Sequence, residues 1–226
     1  MTRSNRARWG LVSTSGVLTG FGHGFAAFAV SALLKPMALD LDTGRGAIST
    51  AIGLGRFVAG MASPSIGRIT DAYGTRLIVI AGMVVSAIGL FLLAAVRSEI
   101  ELYIVWSLVF SVGIAAGFTV ALDKLVVATA ADKGGMALAV RFSISAVVAT
   151  LIVPLVTTMI EHLGWRQTCV IWGGIILLLI PIPYLFFGIK QGTVGAPSAV
   201  KDGEGAPAPP RSVLPQAAFG IIAGGP

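Results

Sequence analysis

The sequence predicts an all-α membrane protein with six transmembrane helices, followed by a disordered tail rich in Pro, Gly and Ala. Three observations predict it. Of the 226 residues 55% are hydrophobic and only 12% are charged, with a mean hydropathy of +0.89. A soluble domain carries about 25% charged residues, because water must solvate its surface. The apolar residues also come in blocks of about 20, the length that crosses about 30 Å of hydrocarbon. Finally, the blocks lack the alternation of a transmembrane strand, and without a closed barrel only a helix satisfies its own backbone amides in lipid.

The six segments run over roughly 9–34, 46–66, 75–96, 100–122, 134–160 and 165–188. Residues 1–8 precede the 9–190 bundle as a cytoplasmic segment, and residues 191–226 follow it as a cytoplasmic tail. The first block is too long for a signal-peptide core and has no clear cleavage motif, so it reads as a structural helix. The tail holds six of the eleven prolines and no run long enough to span, the composition of a linker without a packed core.

Charge placement orients the chain. With the N-terminus in the cytoplasm, ten of the sixteen Lys and Arg residues fall on that side. Lys35, Arg45, Arg97 and Arg166 fall outside, and Arg56 and Arg141 fall within spans. This cytoplasmic excess predicts an inside N-terminus in a plasma or inner membrane. Trp9, Tyr103, Trp106, Trp165 and Tyr184 lie near span ends, where amphipathic rings prefer to sit.

Several function classes are excluded. The formal net charge of +6 is scattered around the apolar blocks, with no basic stripe or aromatic interleaving for nucleic acid. Cys169 is the only cysteine, which rules out an intrachain disulfide or a cysteine metal cluster. His23 and His162 alone make no metal site, and no cofactor motif is present. An intramembrane serine protease needs a serine beside glycine on one helix and a histidine on another. The fourth span offers Ser107 and Ser111 without that elbow, and the sixth span has no His, so no catalytic residue is assigned.

Small residues recur every fourth position: Gly16, Gly20 and Gly24 in the first span, Gly55, Ala59, Ser63 and Gly67 around the second, Gly113 and Gly117 in the fourth. Such stripes let helix backbones approach closely where lipid supplies little driving force. They serve either static packing or the sliding of helices during a conformational cycle.

Between the second and third spans lies Gly67-Arg68-Ile69-Thr70-Asp71-Ala72-Tyr73-Gly74-Thr75-Arg76. So short a connection needs glycine where the chain turns sharply. Asp71, read as standing before the third helix, is placed to accept orphan backbone N–H groups, and Arg68 and Arg76 to pair with it or with anionic lipid headgroups. The loop resembles the signature of the major facilitator superfamily in spacing and in its place between the second and third spans. Gly164-Trp165-Arg166, before the sixth span, resembles a triplet that many members carry. The resemblance covers about residues 9–190. It implies one six-helix bundle, the N-terminal half of a secondary transporter. It also implies that Gly67, Asp71, Gly74 and Arg76 form part of a cytoplasmic latch stabilising the outward-facing state. Two departures stand: the fourth span lacks the arginine of many proton-coupled members, and the fifth lacks the glycine-proline signature of drug antiporters.

Ionisable residues at mid-span are expensive and normally face a cavity or a partner. Arg56 lies near the middle of the second span, Arg141 about seven residues into the fifth, and His23 near the middle of the first. All ten acids fall in loops, at span ends or in the tail, which leaves these cations without an evident carboxylate. In the resembled family the first, second, fourth and fifth helices border the central cavity. Arg56, Arg141 and His23 are therefore the candidate substrate-binding residues, for a small organic anion such as a carboxylate. Each also has a structural reading: Arg56 bonded to backbone carbonyls or to an acid in a second half, Arg141 snorkelling to the interface, His23 bonded to Ser13, Thr14, Ser15 or Thr19 on its own helix or to serines elsewhere.

Alternating access needs two bundles around a shared site. The expected partners are thus the lipid bilayer, an anionic small molecule, and a second six-helix half or a second copy. The alternative is a truncated or accessory membrane subunit without transport activity of its own.

Overall fold

Backbone groups that face lipid must be bonded within their own segment, and among the described residues every long element is a helix. The structure, a computed structural model, describes residues 3–130 and 133–186. The tail expected over 191–226 lies outside them. The first rod is α1 (Arg3–Gly24) and α2 (Val30–Asp40), joined by a π-helical turn at Phe25–Ala29 and bent by 45°. Next come α3 (Arg45–Tyr73) and α4 (Thr75–Ala95). The fourth rod, Glu99–Thr129, contains α5 (Glu99–Ile104), a π turn at Val105–Phe110, α6 (Ser111–Ile114), a second π turn at Ala115–Val120, and α7 (Ala121–Thr129). The fifth is α8 (Gly134–Leu163), and the sixth joins α9 (Trp165–Leu178) to α10 (Pro181–Phe186).

The helices overrun the segments read from hydropathy. α1 already begins at Arg3, and the fourth rod continues seven residues past 122, to Thr129. Among the described residues four rods are long and apolar enough to cross a membrane, five when the two arms of the bent first rod are taken as one span. α3 has the length, 29 residues, but a lower apolar content. The reason is visible on its surface, where Gly55, Arg56, Ala59, Gly60 and Ser63 line a cleft. A helix facing a cavity on one side needs apolar residues only on the other.

Single glycines make two of the sharp turns. Gly74 alone separates α3 from α4 at φ +87°, and Gly164 alone separates α8 from α9 at φ +83°, a backbone region that a side chain disfavours. Each closes the preceding helix, with Gly74 N–H on the Thr70 carbonyl and Gly164 N–H on that of Ile160. The fourth rod starts with Ser98 accepting from the Glu101 N–H, while the Glu101 carboxylate accepts from the Arg97 N–H. This is a close variant of a capping box.

The rods pack through their small residues. α1 runs along α8, and α4 lies between α9 and the fourth rod. A methyl added at Gly20 would fall 2.5 Å from Val148 Cβ, and one at Gly16 would fall 2.9 Å from the Arg141 carbonyl oxygen. The centre of the bundle is aromatic: Phe25 stacks on Trp172 at 5.1 Å between ring centres, and Phe110 meets Phe25 edge-on. The outside is apolar too, with Leu151, Leu178 and Leu185 exposed by 71%, 78% and 75%. An exterior of that kind fits a lipid solvent.

Candidate functional site: a cleft between three rods

Between the first rod, α3 and the fourth rod lies a cleft of about 220 Å³. His23, Ala26 and Ala27 contribute from the first rod, Ile52 to Ser63 from α3, and Trp106, Ser111, Ile114, Ala115 and Thr119 from the fourth. All three π-helical turns reach it: Phe25–Ala29 supplies Ala26 and Ala27, Val105–Phe110 supplies Trp106, and Ala115–Val120 supplies Ala115 and Thr119. A π turn inserts an extra residue into a helix and re-aims the side chains around it, and such turns recur at functional sites. Among the described residues that line it there is neither Asp nor Glu.

The structure brings two of the three candidate cations together here. Arg56 is exposed in the cleft wall and makes no hydrogen bond or ion pair among the described residues. His23, partly exposed, lines the same cleft. Three of the four hydroxyls expected to hold His23 from its own helix turn elsewhere: Thr14 donates to the Gly10 carbonyl, Ser15 to Val12, and Thr19 Oγ1 lies 2.9 Å from the Ser15 carbonyl oxygen and 2.8 Å from that of Phe118.

Arg141 is elsewhere, and it has the carboxylate that the sequence did not reveal. Its side chain is fully buried and paired with Asp123 through Nη1. Nη2 donates to Thr19 Oγ1 at 2.7 Å and to the Phe118 carbonyl at 2.9 Å. It therefore points inward and does not snorkel. The expectation failed at a helix end: with the fourth span stopped at 122, Asp123 reads as a loop acid, but the helix runs on to Thr129 and carries Asp123 within reach of Arg141. The pair ties the first, fourth and fifth rods together.

The motif loop also departs from expectation. Asp71 lies in the last turn of α3, and α4 has no side-chain cap from it. A carboxylate at a helix C-terminus is opposed by the helix dipole. Lys124 of α7 offsets it, with Nζ 2.7 Å from Asp71 Oδ1 and donating to the Gly67 carbonyl at 2.8 Å. Neither Arg68 nor Arg76 pairs with Asp71; the Arg76 guanidinium instead lies 3.7 Å over the Tyr184 ring of α10. So Gly67 and Asp71 are held by α7, Gly74 makes the turn, and Arg76 reaches α10. Both partners of the Asp71–Lys124 pair are well exposed, at 65% and 40%. Lys124→Gln is accordingly expected to lower stability by no more than about 1 kcal/mol. A thermal melt of the detergent-solubilised protein should shift by only about 2–4 °C.

At the other end of the bundle, Arg166 pairs with Asp40 at 2.8 Å and donates to the Ala94 carbonyl at 2.7 Å. The cation thus sits at the C-terminus of α4, where the dipole favours it. Trp165 Nε1 donates to Asp40 as well. The Gly164-Trp165-Arg166 triplet thereby fastens the sixth rod to the first and third.

The sequence did not single out Thr119, and it named Ser111 only in excluding a serine protease. Trp106 was read as an interfacial aromatic, but it is only 3% exposed and faces the cleft.

A helical bundle built on small-residue seams, with a glycine-hinged loop between its second and third rods and a polar cleft among its helices, has the form of a membrane transporter unit. The family model of the Major Facilitator Superfamily matches residues 16–226, and the chain belongs to that family. It is a family of transporters, not of enzymes. The match continues past residue 190, through the Pro/Gly-rich stretch that the resemblance had left out. The chain is also similar to monocarboxylate transporter 3 of Gallus gallus, with 26% identity over 172 residues. That alignment covers 75% of this chain and 31% of the relative, so the chain spans about a third of the relative's length.

Proposed function

We propose that this chain forms a six-helix half of a secondary transporter and that its cleft binds the carboxylate of a small organic anion during alternating access. The observation that carries the reading is Arg56. It is a guanidinium deep along α3, open to a cleft with no acidic lining residue and without an anionic partner among the described residues. A cation so placed favours an anion, and a guanidinium matches a carboxylate through paired hydrogen bonds. His23 in the same wall adds a second polar contact and a group whose unperturbed pKa is near 6.5. The name of the similar chicken protein, a monocarboxylate transporter, agrees with this chemistry.

The remainder of the proposal concerns the machine around the cleft. The excess of Lys and Arg beside the motif loop supports a cytoplasmic N-terminus in the plasma or inner membrane. A second six-helix half, or a second copy, completes the cavity. Gly67, Asp71, Gly74 and Arg76 act as the gate, with Lys124 as the partner that latches Asp71.

Uptake of labelled short-chain carboxylates into proteoliposomes tests the reading. Arg56→Ala removes charge-assisted hydrogen bonds and should weaken apparent affinity about ten- to a hundredfold. Uptake of neutral or cationic solutes in place of carboxylates, with Arg56 dispensable, would show the assignment to be wrong.

A further inference from the structure

We infer that Trp106 supplies a second hydrogen-bond donor to the carboxylate that Arg56 attracts, and that its indole edge, seated against Gly55, limits the size of the acyl group the cleft accepts. This rests on the carboxylate reading above and adds the residue that determines specificity within it.

The argument begins with a comparison among tryptophans. A buried indole N–H normally finds an acceptor. Three tryptophans are buried in the bundle: Trp106, Trp165 and Trp172. Trp165 donates to Asp40, and Trp172 donates to the Phe21 carbonyl. Trp106 donates to nothing among the described residues, and it is the one of the three that lines the cleft. An unpaired donor at a cleft wall is a place for a ligand acceptor.

The ring is also held. Phe110 packs on it at 4.9 Å between ring centres, and the Ser111 hydroxyl donates to the Trp106 carbonyl at 2.8 Å, fixing the π turn that aims it. Gly55 of α3 lies against the Ser111 hydroxyl and the indole: a methyl there would fall 2.4 Å from Ser111 Oγ, 2.9 Å from Trp106 Cδ1 and 3.1 Å from Nε1. Since Nε1 borders residue 55, the donor stands beside the residue that precedes Arg56 on α3. The nearby hydroxyls do not duplicate it. Ser111 gives its proton to Trp106, and Thr119 gives its own to the Ala115 carbonyl. What they turn to the cleft are lone pairs, which an anion avoids. Apart from His23 and Ser63, the rest of the wall, including Ala26, Ala27 and Ile52, is apolar and suits a short acyl chain. With Arg56 as the permanent cation of the wall, a second carboxylate on the ligand would be buried unpaired, which is costly.

The test uses the protein in nanodiscs with ¹⁵N-labelled tryptophan, and acetate and butyrate as probes. Trp106→Phe keeps the aromatic packing and removes only the donor; it also assigns the Trp106 indole resonance by its loss. Butyrate should move that resonance and leave those of Trp165 and Trp172 in place. In competition against labelled butyrate, Trp106→Phe should bind about tenfold more weakly. Gly55→Ala, whose methyl crowds the Ser111 hydroxyl and the indole edge and so narrows the cleft beside Trp106, should weaken butyrate more than acetate. If butyrate binding depends on Arg56 but is unchanged in Trp106→Phe, the Trp106 assignment falls and the carboxylate reading survives. Equal weakening of both probes by Gly55→Ala removes the size limit. Absence of any Arg56-dependent carboxylate binding overturns the functional reading itself, and this inference with it.

Discussion

Asp123→Ala is expected to destabilise the bundle by about 3–5 kcal/mol, because it strands the Arg141 guanidinium in the interior without its counter-charge. At about 2–4 °C per kcal/mol for a domain of this size, the detergent melting temperature should fall by roughly 10 °C. The two partners are not equivalent. The Arg141 side chain has no exposure, whereas that of Asp123 is 36% exposed. Losing the arginine leaves a carboxylate that solvent can still reach, with Thr19 and the Phe118 carbonyl able to bond each other at 2.8 Å. Losing the aspartate leaves a buried cation whose Nε already lacks an acceptor. Arg141→Met should therefore be the milder single substitution, and Asp123→Ala combined with Arg141→Met should recover much of the loss. Two equally damaging single variants with no recovery in the double variant would place the damage in packing, not in charge.

This pair also marks how far the sequence could be read. Hydropathy located the apolar blocks because lipid imposes a solvent requirement on every residue of a span. Gly74 was legible as a turn because only a residue without a side chain takes φ +87° easily. Arg56 and His23 were legible as cleft residues because polar groups in an apolar block need a reason to be there. Helix ends were not legible: a helix can continue beyond the hydrocarbon with no change in periodicity, and that error hid the partner of Arg141. Contacts between distant segments were hidden as well. Lys124 lies 53 residues from Asp71, and nothing local to either says that the first turn of α7 lies beside the last turn of α3. Trp106 was misplaced for a related reason. An aromatic near a span end reads as an interfacial anchor, and the π turn that swings it inward has no signature in composition or spacing.

The second large effect concerns the seam between α4 and the fourth rod. Gly82→Ala adds a methyl that would lie 2.2 Å from Gly117 N and 2.5 Å from Gly117 Cα. Both atoms are backbone, so no rotamer change can relieve the contact, and the two helices must separate. The same seam closes at Gly113, against Ser86 N at 2.5 Å, and at Gly89, against Phe110 Cα at 2.8 Å. Separation at Gly82 therefore loosens contacts along more than one turn, including those around Phe110, which packs against Trp106. Overpacking of this kind costs about 1–3 kcal/mol where neighbours can shift, and more where backbone meets backbone. Gly174→Ala is the matched control, since a methyl there meets nothing within 4 Å and gains the helix propensity of alanine over glycine, about 0.5–1 kcal/mol. The two glycine-to-alanine changes should move the melting temperature in opposite directions, down for Gly82 and slightly up for Gly174. A Gly82→Ala protein as stable as the parent would mean that α4 and the fourth rod do not approach as closely as this seam requires.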